Sequence, residues 1–147
     1  NRVLVMQDGT EGVLCSRGDG MGITMLRDRL AMLVLSKEKN PVVSARCAKL
    51  KIECRQGIDD KLPELQRLAA ERGLTREQIA YVGNDVNDVG PLSWVGVPIV
   101  VADAHHAVLP LARLVTSKPG GFGAVREVCD WLLRVGSTSH PATSSSR

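Results

Sequence analysis

The sequence predicts an α/β fold with three layers, in which helices cover both faces of a Rossmann-like, mostly parallel β-sheet. Short apolar runs alternate with segments whose apolar residues recur every three or four positions, which is typical of strands followed by amphipathic helices. The run at 31–35 is apolar throughout, which favours a parallel strand covered on both faces. The alternation predicts one domain, and no internal repeat is evident.

The amino-terminal segment predicts a β-hairpin ahead of the α/β unit. Apolar runs at 3–6 and 12–15 flank Asp8 and Gly9, and Asp-Gly between two such runs is a strong hairpin signal. Because a two-stranded ribbon is marginally stable alone, this hairpin is expected to pack on another surface. The first helix follows, with Asp19 placed as its N-cap.

Helices and strands alternate along the rest of the chain. Apolar periodicity and capping residues predict helices near 40–50, 61–72, 92–95, 106–112 and 125–133. Short apolar runs predict strands at 52–54, 79–83, 97–101 and 114–115, and Thr75 is placed to cap an extra turn. The Ser/Thr-rich tail 136–147 is predicted to be disordered, which leaves residues 1–135 as the folded domain.

The composition is typical of a globular protein and excludes several functions. Hydrophobic residues make up 44% and charged residues 24% of the chain, and no apolar run approaches membrane-spanning length. The aromatic content of 3% and a net charge of +3, scattered along the helices, argue against nucleic-acid binding. Four well-separated cysteines without C-x-x-C spacing predict reduced thiols and a cytoplasmic protein.

The most polar stretch follows the strand at 79–83. Asn84, Asp85, Asn87 and Asp88 fall within five positions, at a strand end where ligands bind in α/β sheets. Oxygen ligands at this density suit Mg²⁺. The same composition also fits an Asx-rich turn that caps the next helix, and both interpretations stand at this point.

Two further strand ends carry polar residues. Ser36 follows the run at 31–35, and Lys61 follows the loop at 57–60. Because right-handed crossovers bring parallel strand ends to one edge of the sheet, these residues are expected to converge on the acidic loop. A hydroxyl, an ammonium group and a metal site are what a transferring phosphoryl group needs.

In this order, these residues resemble motifs II, III and IV of haloacid dehalogenase-type (HAD) phosphatases. The details are similar to the capless subgroup, which contains 3-deoxy-manno-octulosonate (KDO) 8-phosphate phosphatases and the phosphatase-like C-terminal domain of N-acylneuraminate cytidylyltransferases. The resemblance covers about residues 1–133. It is carried by Arg17–Ile23, Val34–Ser36 with Asn40–Pro41, Gly57–Lys61, Tyr81–Asp88, Asp103–His105 and Pro119–Glu127.

The resemblance implies a HAD fold and roles for particular residues. Ser36 would hydrogen-bond the phosphoryl oxygens, and Lys61 would balance their charge. Mg²⁺ would be held with Asn84 as direct ligand, Asp85 beside it and Asp88 as outer support. Many relatives carry Asp where this chain has Asn84, so the loss of one charge implies weaker Mg²⁺ binding.

The substrate implied is a phosphorylated sugar acid of the KDO 8-phosphate or acylneuraminate 9-phosphate type, as used in nucleotide-sugar and sialic acid biosynthesis. Capless members are similar in forming tetramers, in which the hairpin of one subunit covers its neighbour, so a homotetramer is implied. The residues implied to contact substrate are Asp19, Gly20, Asn87 and Arg126.

The nucleophile of the family is missing from this sequence. It lies in an Asp-x-Asp-Gly motif at the end of the first strand, attacks phosphorus to form an aspartyl-phosphate, and is helped by a second Asp that protonates the leaving alcohol. Reading Asp8-Gly9-Thr10 as this motif would place Met6 at the nucleophile position and leave too few residues before Asp19. We therefore expect residues 1–16 to be the hairpin and turnover to be negligible. Either the chain is part of a longer protein, which we favour, or another molecule supplies a replacement strand.

Two functions from different classes follow. The first is an Mg²⁺-dependent phosphatase, favoured by Ser36, Lys61 and the two aspartates of the acidic loop. The second is a catalytically silent domain that tetramerises a cytidylyltransferase, favoured by Asn84 and by the absent nucleophile.

Three other motifs have competing interpretations. Arg17–Asp19 matches an integrin-binding tripeptide but is expected to be a turn and helix cap. His105 and His106 are expected to be exposed rather than metal ligands. The loop Gly120–Gly123 could cradle a phosphate at the last helix, could be merely flexible, or could line the mouth of an active site together with Arg126.

Overall fold

The computed structural model describes residues 2–137 of the chain. Six helices, one extra turn after Thr75 and seven strands were expected, and the observed elements follow the predicted order. The strands are β1 Leu4–Val5, β2 Glu11–Gly12, β3 Leu33–Leu35, β4 Glu53–Arg55, β5 Ala80–Gly83, β6 Val97–Val100 and β7 Leu114–Val115. The α-helices are α1 Arg17–Leu26, α2 Val42–Leu50, α3 Lys61–Glu71, α4 Val89–Trp94 and α5 Ala124–Ser137, with 3₁₀ turns at Arg76–Gln78, Val86–Asp88 and Leu109–Leu111.

The strands confirm the predicted mixed α/β fold with mostly parallel pairing and an amino-terminal hairpin. β1 and β2 pair antiparallel. β3 pairs parallel with β4, forming a two-stranded sheet that we call the first half-sheet. β5, β6 and β7 pair parallel in that order and form the second half-sheet. Among the described residues, no strand pairing joins the two half-sheets.

β3 is less covered than its uninterrupted apolar sequence predicts. Each of its residues is only half-buried, and in β5 the side chain of Val82 is 37% exposed. The cause is the sheet arrangement, because in the described part of the chain β3 and β5 each pair along one edge only. Both half-sheets therefore present an open edge.

The core lies under the second half-sheet and between α1 and α5. Leu92, Val100 and Val108 are almost fully buried in one cluster, against which Tyr81 packs. α1 and α5 approach closely at Gly22, where an added Cβ would lie 3.1 Å from Cα of Arg126. The glycine at this position lets the two helix backbones come into contact.

Two local predictions were wrong. Asp19 is not the N-cap of α1; Ser16 is, since its side chain accepts the N–H of Asp19 at 3.2 Å. The helix predicted at 106–112 is only the turn Leu109–Leu111, because Pro110 has no N–H to donate inside a helix. The short helix expected at 92–95 begins earlier, at Val89, as α4.

The four cysteines are free thiols, as predicted. Cys47 and Cys129 are buried, Cys54 is half-buried and Cys15 is exposed. Burial, with the neighbouring Cys54, raises the pKa of Cys47 to about 11, so this thiol stays protonated. Within residues 2–137, no helix is both long and apolar enough to cross a membrane. The tail predicted to be disordered lies, from residue 138 onward, outside the described residues.

Candidate active site

Asp88 is the centre of a buried hydrogen-bond cluster at the carboxyl end of β5. Its side chain is almost fully buried. Lys61 Nζ and the hydroxyl of Tyr81 each donate to Oδ1 at 2.7 Å. The backbone N–H groups of Asn84 and Asp85 donate to Oδ2 at 2.8 and 3.3 Å. Four donors therefore satisfy both carboxylate oxygens.

The electrostatics of the cluster keep Asp88 ionised. Burial alone would raise the pKa of this carboxyl, but the hydrogen bonds from Lys61, Asn84 and Tyr81 outweigh it and lower the pKa. Burial and the adjacent Asp88 charge raise the pKa of Tyr81, so its hydroxyl keeps its proton and donates it. An ionised, fully bonded carboxylate of this kind orients its neighbours rather than reacting itself.

Lys61 connects the ends of the two half-sheets. It is the first residue of α3, whose N-cap Asp60 accepts the N–H of Leu62 at 3.3 Å. Its side chain is buried, and its ammonium group forms an ion pair with Asp88 beyond β5. An ammonium has three donors, so one bond to Asp88 leaves donors for a further anion. The predicted convergence of these two residues is confirmed.

Ser36 lies in a loop that is joined to the loop preceding Lys61. The backbone N–H of Ile58 donates to the carbonyl of Ser36 at 3.0 Å, and that of Gly57 donates to the carbonyl of Glu38, also at 3.0 Å. Gly57 has a φ of +69°, which favours glycine at this turn. The hydroxyl oxygen of Ser36 accepts the N–H of Glu38 at 3.1 Å, so its own O–H can donate elsewhere.

The acidic loop offers two oxygen-bearing side chains for a metal. Asn84 is half-buried, and no hydrogen bond is seen for its side-chain amide within residues 2–137. Asp85 accepts the N–H of Val86 through one oxygen at 2.7 Å, and Asn87 is exposed. One carboxylate and one amide oxygen are hard ligands that suit Mg²⁺ but make a sparse set. In the described part of the chain, no three His, Cys, Asp or Glu residues are grouped for a metal.

Asp19 holds the start of α5 rather than the start of its own helix. It accepts the N–H of Gly123 at 3.3 Å and that of Arg126 at 2.9 Å. Since a carboxylate already occupies this helix N-terminus, the structure disfavours a phosphate cradle there. Gly20 is buried against Arg46, and the Arg126 guanidinium pairs with Asp130 at 3.0 Å.

Of the nine residues proposed from the sequence, five lie in or beside the cluster described above, three lie elsewhere, and Asn87 is exposed in the acidic loop. Lys61, Asp88, Asn84 and Asp85 share the cluster described above, with Ser36 on the adjoining loop. Asp19, Gly20 and Arg126 make their observed contacts within the helices α1, α2 and α5.

Tyr81 is the site residue that sequence reasoning missed. Its hydroxyl completes the bonding of Asp88 from inside β5. The available signal was that this residue, the only tyrosine of the chain, interrupts an apolar strand next to the acidic loop. A buried tyrosine hydroxyl needs a polar partner, and the nearest polar residues in sequence were those of that loop.

Comparisons with known proteins identify the family of the chain. The family described as haloacid dehalogenase-like hydrolase matches residues 50–127. The chain is 40% identical over 117 residues to the 3-deoxy-D-manno-octulosonate 8-phosphate phosphatase of Salmonella typhi, covering 78% of this chain and 62% of that protein. The chain thus spans less than two thirds of the length of this relative.

Solved structures show the same fold. A structure described as a HAD family hydrolase, from Streptomyces avermitilis, is 51% identical, with a TM-score of 0.85, covering 88% of this chain and 80% of that one. The 3-deoxy-D-manno-octulosonate 8-phosphate phosphatase of Moraxella catarrhalis, solved with magnesium, phosphate and KDO, is 30% identical, with a TM-score of 0.87. That match covers 90% of this chain and 78% of the other. On the strength of the matched family and these relatives, the chain belongs to the haloacid dehalogenase-like hydrolases.

Proposed function

We propose that this chain forms the phosphate-binding and metal-binding part of a phosphatase that acts on a phosphorylated sugar acid, of the KDO 8-phosphate or acylneuraminate 9-phosphate type. One observation carries the proposal: the buried Lys61–Asp88 pair joins the strand ends of the two half-sheets. The ammonium group of Lys61 keeps donors for a phosphoryl group, Ser36 lies in the loop bonded to Ile58, and the backbone N–H of Asn84 donates to the same carboxylate as Lys61. The similarity to KDO 8-phosphate phosphatases supports the substrate class.

In this proposal each residue has a separate task. Ser36 donates its hydroxyl proton to a phosphoryl oxygen. Lys61 stabilises the negative charge of the phosphoryl group, because charge-assisted bonds in a site shielded from water are strong. Asp88 and Tyr81 fix the position of that ammonium. Asn87, in the acidic loop, and Arg126, on α5, are proposed to contact the substrate. Asp19 is proposed to act through its bonds to the start of α5, and Gly20 through the close packing of α1 against α2.

Mg²⁺ is the proposed cofactor, held by Asn84 and Asp85, and it would neutralise phosphoryl charge when bound. Because Asn84 is neutral, the affinity should be low. Replacing Asn84 with Asp adds one carboxylate, and we expect about tenfold tighter Mg²⁺ binding by calorimetry. Asn87→Asp, on the exposed side of the same loop, is the matched control and should change the affinity little. Equal effects of both variants would contradict a ligand role for Asn84.

The attacking carboxylate is proposed to come from a strand outside residues 1–147 that inserts between the half-sheets. Two features support this. Asp8-Gly9-Thr10 lies at the hairpin and does not serve as the nucleophile motif, since that alignment would put the attack on Met6, whose thioether cannot attack phosphorus. The half-sheets are not paired with each other and leave open edges at β3 and β5, as an inserted parallel strand would require. Residues 1–147 alone should therefore bind phosphate without turning it over.

A second candidate is a non-catalytic domain that tetramerises an N-acylneuraminate cytidylyltransferase in the cytoplasm. The observation that favours it is Asn84, a neutral side chain at a position where a carboxylate would bind a metal more strongly. Its subunit contact would be the exposed apolar hairpin, in which Val3 to Met6 are 51–63% exposed and Leu14 is 96% exposed. An apolar surface of this kind is typical of subunit contacts. A homotetramer is proposed for both candidates, so assembly alone does not separate them; phosphate binding does.

Calorimetry with inorganic phosphate, in the presence and absence of Mg²⁺, tests the first candidate. We expect Mg²⁺-dependent binding that Ser36→Ala weakens about tenfold, since one hydrogen bond to a charged group is lost. Ser44→Ala, an exposed serine on α2, is the matched control. Absence of phosphate binding by the folded protein, whether or not Mg²⁺ is added, would favour the silent domain.

A further inference from the structure

Phe122 is the only phenylalanine of the chain, and its side chain is 73% exposed. It lies in the loop between β7 and α5, with glycine on both sides. Gly121 and Gly123 have φ values of +77° and +107°, which side-chain-bearing residues rarely adopt. A Cβ added at Gly121 would have no other atom within 4 Å, so there is space for a side chain there. The glycine is therefore required by its positive φ and not by close packing.

Three carboxylates hold the backbone of this loop. Asp103 accepts the N–H of Gly120 at 2.7 Å, and Asp19 accepts that of Gly123 at 3.3 Å. Glu127 accepts the N–H groups of Ser117 at 3.0 Å and Lys118 at 3.1 Å. The loop is therefore fixed at both ends, while the one large apolar side chain at its tip is left in water.

The same edge of the second half-sheet carries the acidic loop. The N–H of His105 donates to the carbonyl of Asn84 at 2.8 Å, and the N–H of Ala102 donates to the carbonyl of Lys118 at 3.4 Å. Together with the bond from Gly120 to Asp103, these contacts connect the loops after β5, β6 and β7 into one rim. Phe122 stands on this rim two residues beyond Gly120.

We propose that Phe122 is a specificity-determining residue whose ring packs against the C–H face of the sugar part of the substrate. The inference rests on the proposed phosphatase function and extends it to the part of the substrate that does not react. A rigid ring, held on a loop that needs no reordering, binds an apolar sugar face at low entropic cost. Carboxylates already accept the N–H groups of Gly120 and Gly123, which disfavours an anion site on the loop backbone.

The test uses the single phenylalanine as a reporter. The protein is produced with 4-fluorophenylalanine, which gives one ¹⁹F resonance, and is titrated with KDO 8-phosphate and with inorganic phosphate, each with Mg²⁺. We expect the resonance to shift with the sugar phosphate and to stay unchanged with phosphate alone. Calorimetry should show that Phe122→Ala weakens KDO 8-phosphate binding about tenfold and leaves phosphate binding unchanged.

Met25→Ala, at an exposed apolar side chain near the end of α1, is the control and should affect neither ligand. Failure of the two hypotheses is distinguishable. If neither ligand binds, the proposed function fails. If phosphate binds but the resonance does not respond to the sugar phosphate, and Phe122→Ala binds both ligands normally, the role of Phe122 is refuted. A lower oligomer mass of Phe122→Ala in light scattering would instead make this side chain a subunit contact and also overturn the proposal.

Discussion

Replacing Tyr81 with phenylalanine removes one donor from the buried carboxylate of Asp88 and keeps the ring. The lost contact is the 2.7 Å bond from the tyrosine hydroxyl to Oδ1. A hydrogen bond to a charged group contributes about 1.5–3 kcal/mol, and Asp88 keeps three other donors, so we expect the free energy of unfolding to fall by about 2 kcal/mol. That is a large share of the stability of an ordinary domain.

Urea unfolding at pH 7 measures this loss. With a slope of about 2 kcal/mol per molar urea, the midpoint should move down by about 1 M without a change in slope. A double-mutant cycle with Asp88→Asn isolates the contact, because Tyr81→Phe should cost much less once the charge is gone. If Tyr81→Phe shifts stability by less than about 0.5 kcal/mol, or costs the same in both backgrounds, the cluster does not hold Asp88 as described.

Three further predictions concern titration and helix packing. Burial and the neighbouring carboxylate raise the pKa of Tyr81 above its usual value of about 10. The contribution of the tyrosine hydroxyl to stability should therefore be complete below pH 10 and be lost as the pH rises through the raised pKa. Tyrosinate absorbance should appear only with unfolding, not at pH 10. Asp19→Asn should lower the free energy of unfolding by about 1–2 kcal/mol in urea titrations because α5 loses its charged cap, whereas the exposed Asp28→Asn should change it little. Gly22→Ala should lower the free energy of unfolding by about 1–3 kcal/mol, because the added Cβ would clash with α5. Gly18→Ala in the same helix, where the nearest atom to an added Cβ is 3.5 Å away, should be neutral or stabilising. Equal thermal midpoints for the two variants would contradict the packing described.

The sequence predicted the parts of the site that depend on strand ends. Ser36, Lys61 and the acidic loop each follow a strand, and parallel topology alone brings such positions to one edge. The structure confirms that Lys61 and Asp88 meet, across a separation of 27 residues. Periodicity and glycine or proline positions were likewise enough to place most helices and strands.

The parts that sequence could not predict depend on distant partners. Ser16 and Asp19 are both good N-cap residues, and local chemistry does not choose between them. The choice follows from the bond of Asp19 to Arg126, which lies 107 residues away. In the same way, nothing local indicates that the hydroxyl of Tyr81 turns toward Asp88. The wrong prediction of a helix at 106–112 has a local cause. Pro110 disfavours a helix interior, and its effect outweighed that of the apolar pattern.

Phosphate release from KDO 8-phosphate tests the central proposal that this chain provides a HAD phosphatase site lacking only the strand with the Asp-x-Asp motif. Two proteins are compared in the presence of Mg²⁺: residues 1–147 alone, and the same residues preceded by a first strand that ends in Asp-x-Asp, grafted from a related phosphatase. We predict no turnover by the first, turnover by the second, and loss of turnover when the first Asp of the graft becomes Asn. Equal turnover by residues 1–147 alone, or none by a folded, phosphate-binding graft, would contradict the claim.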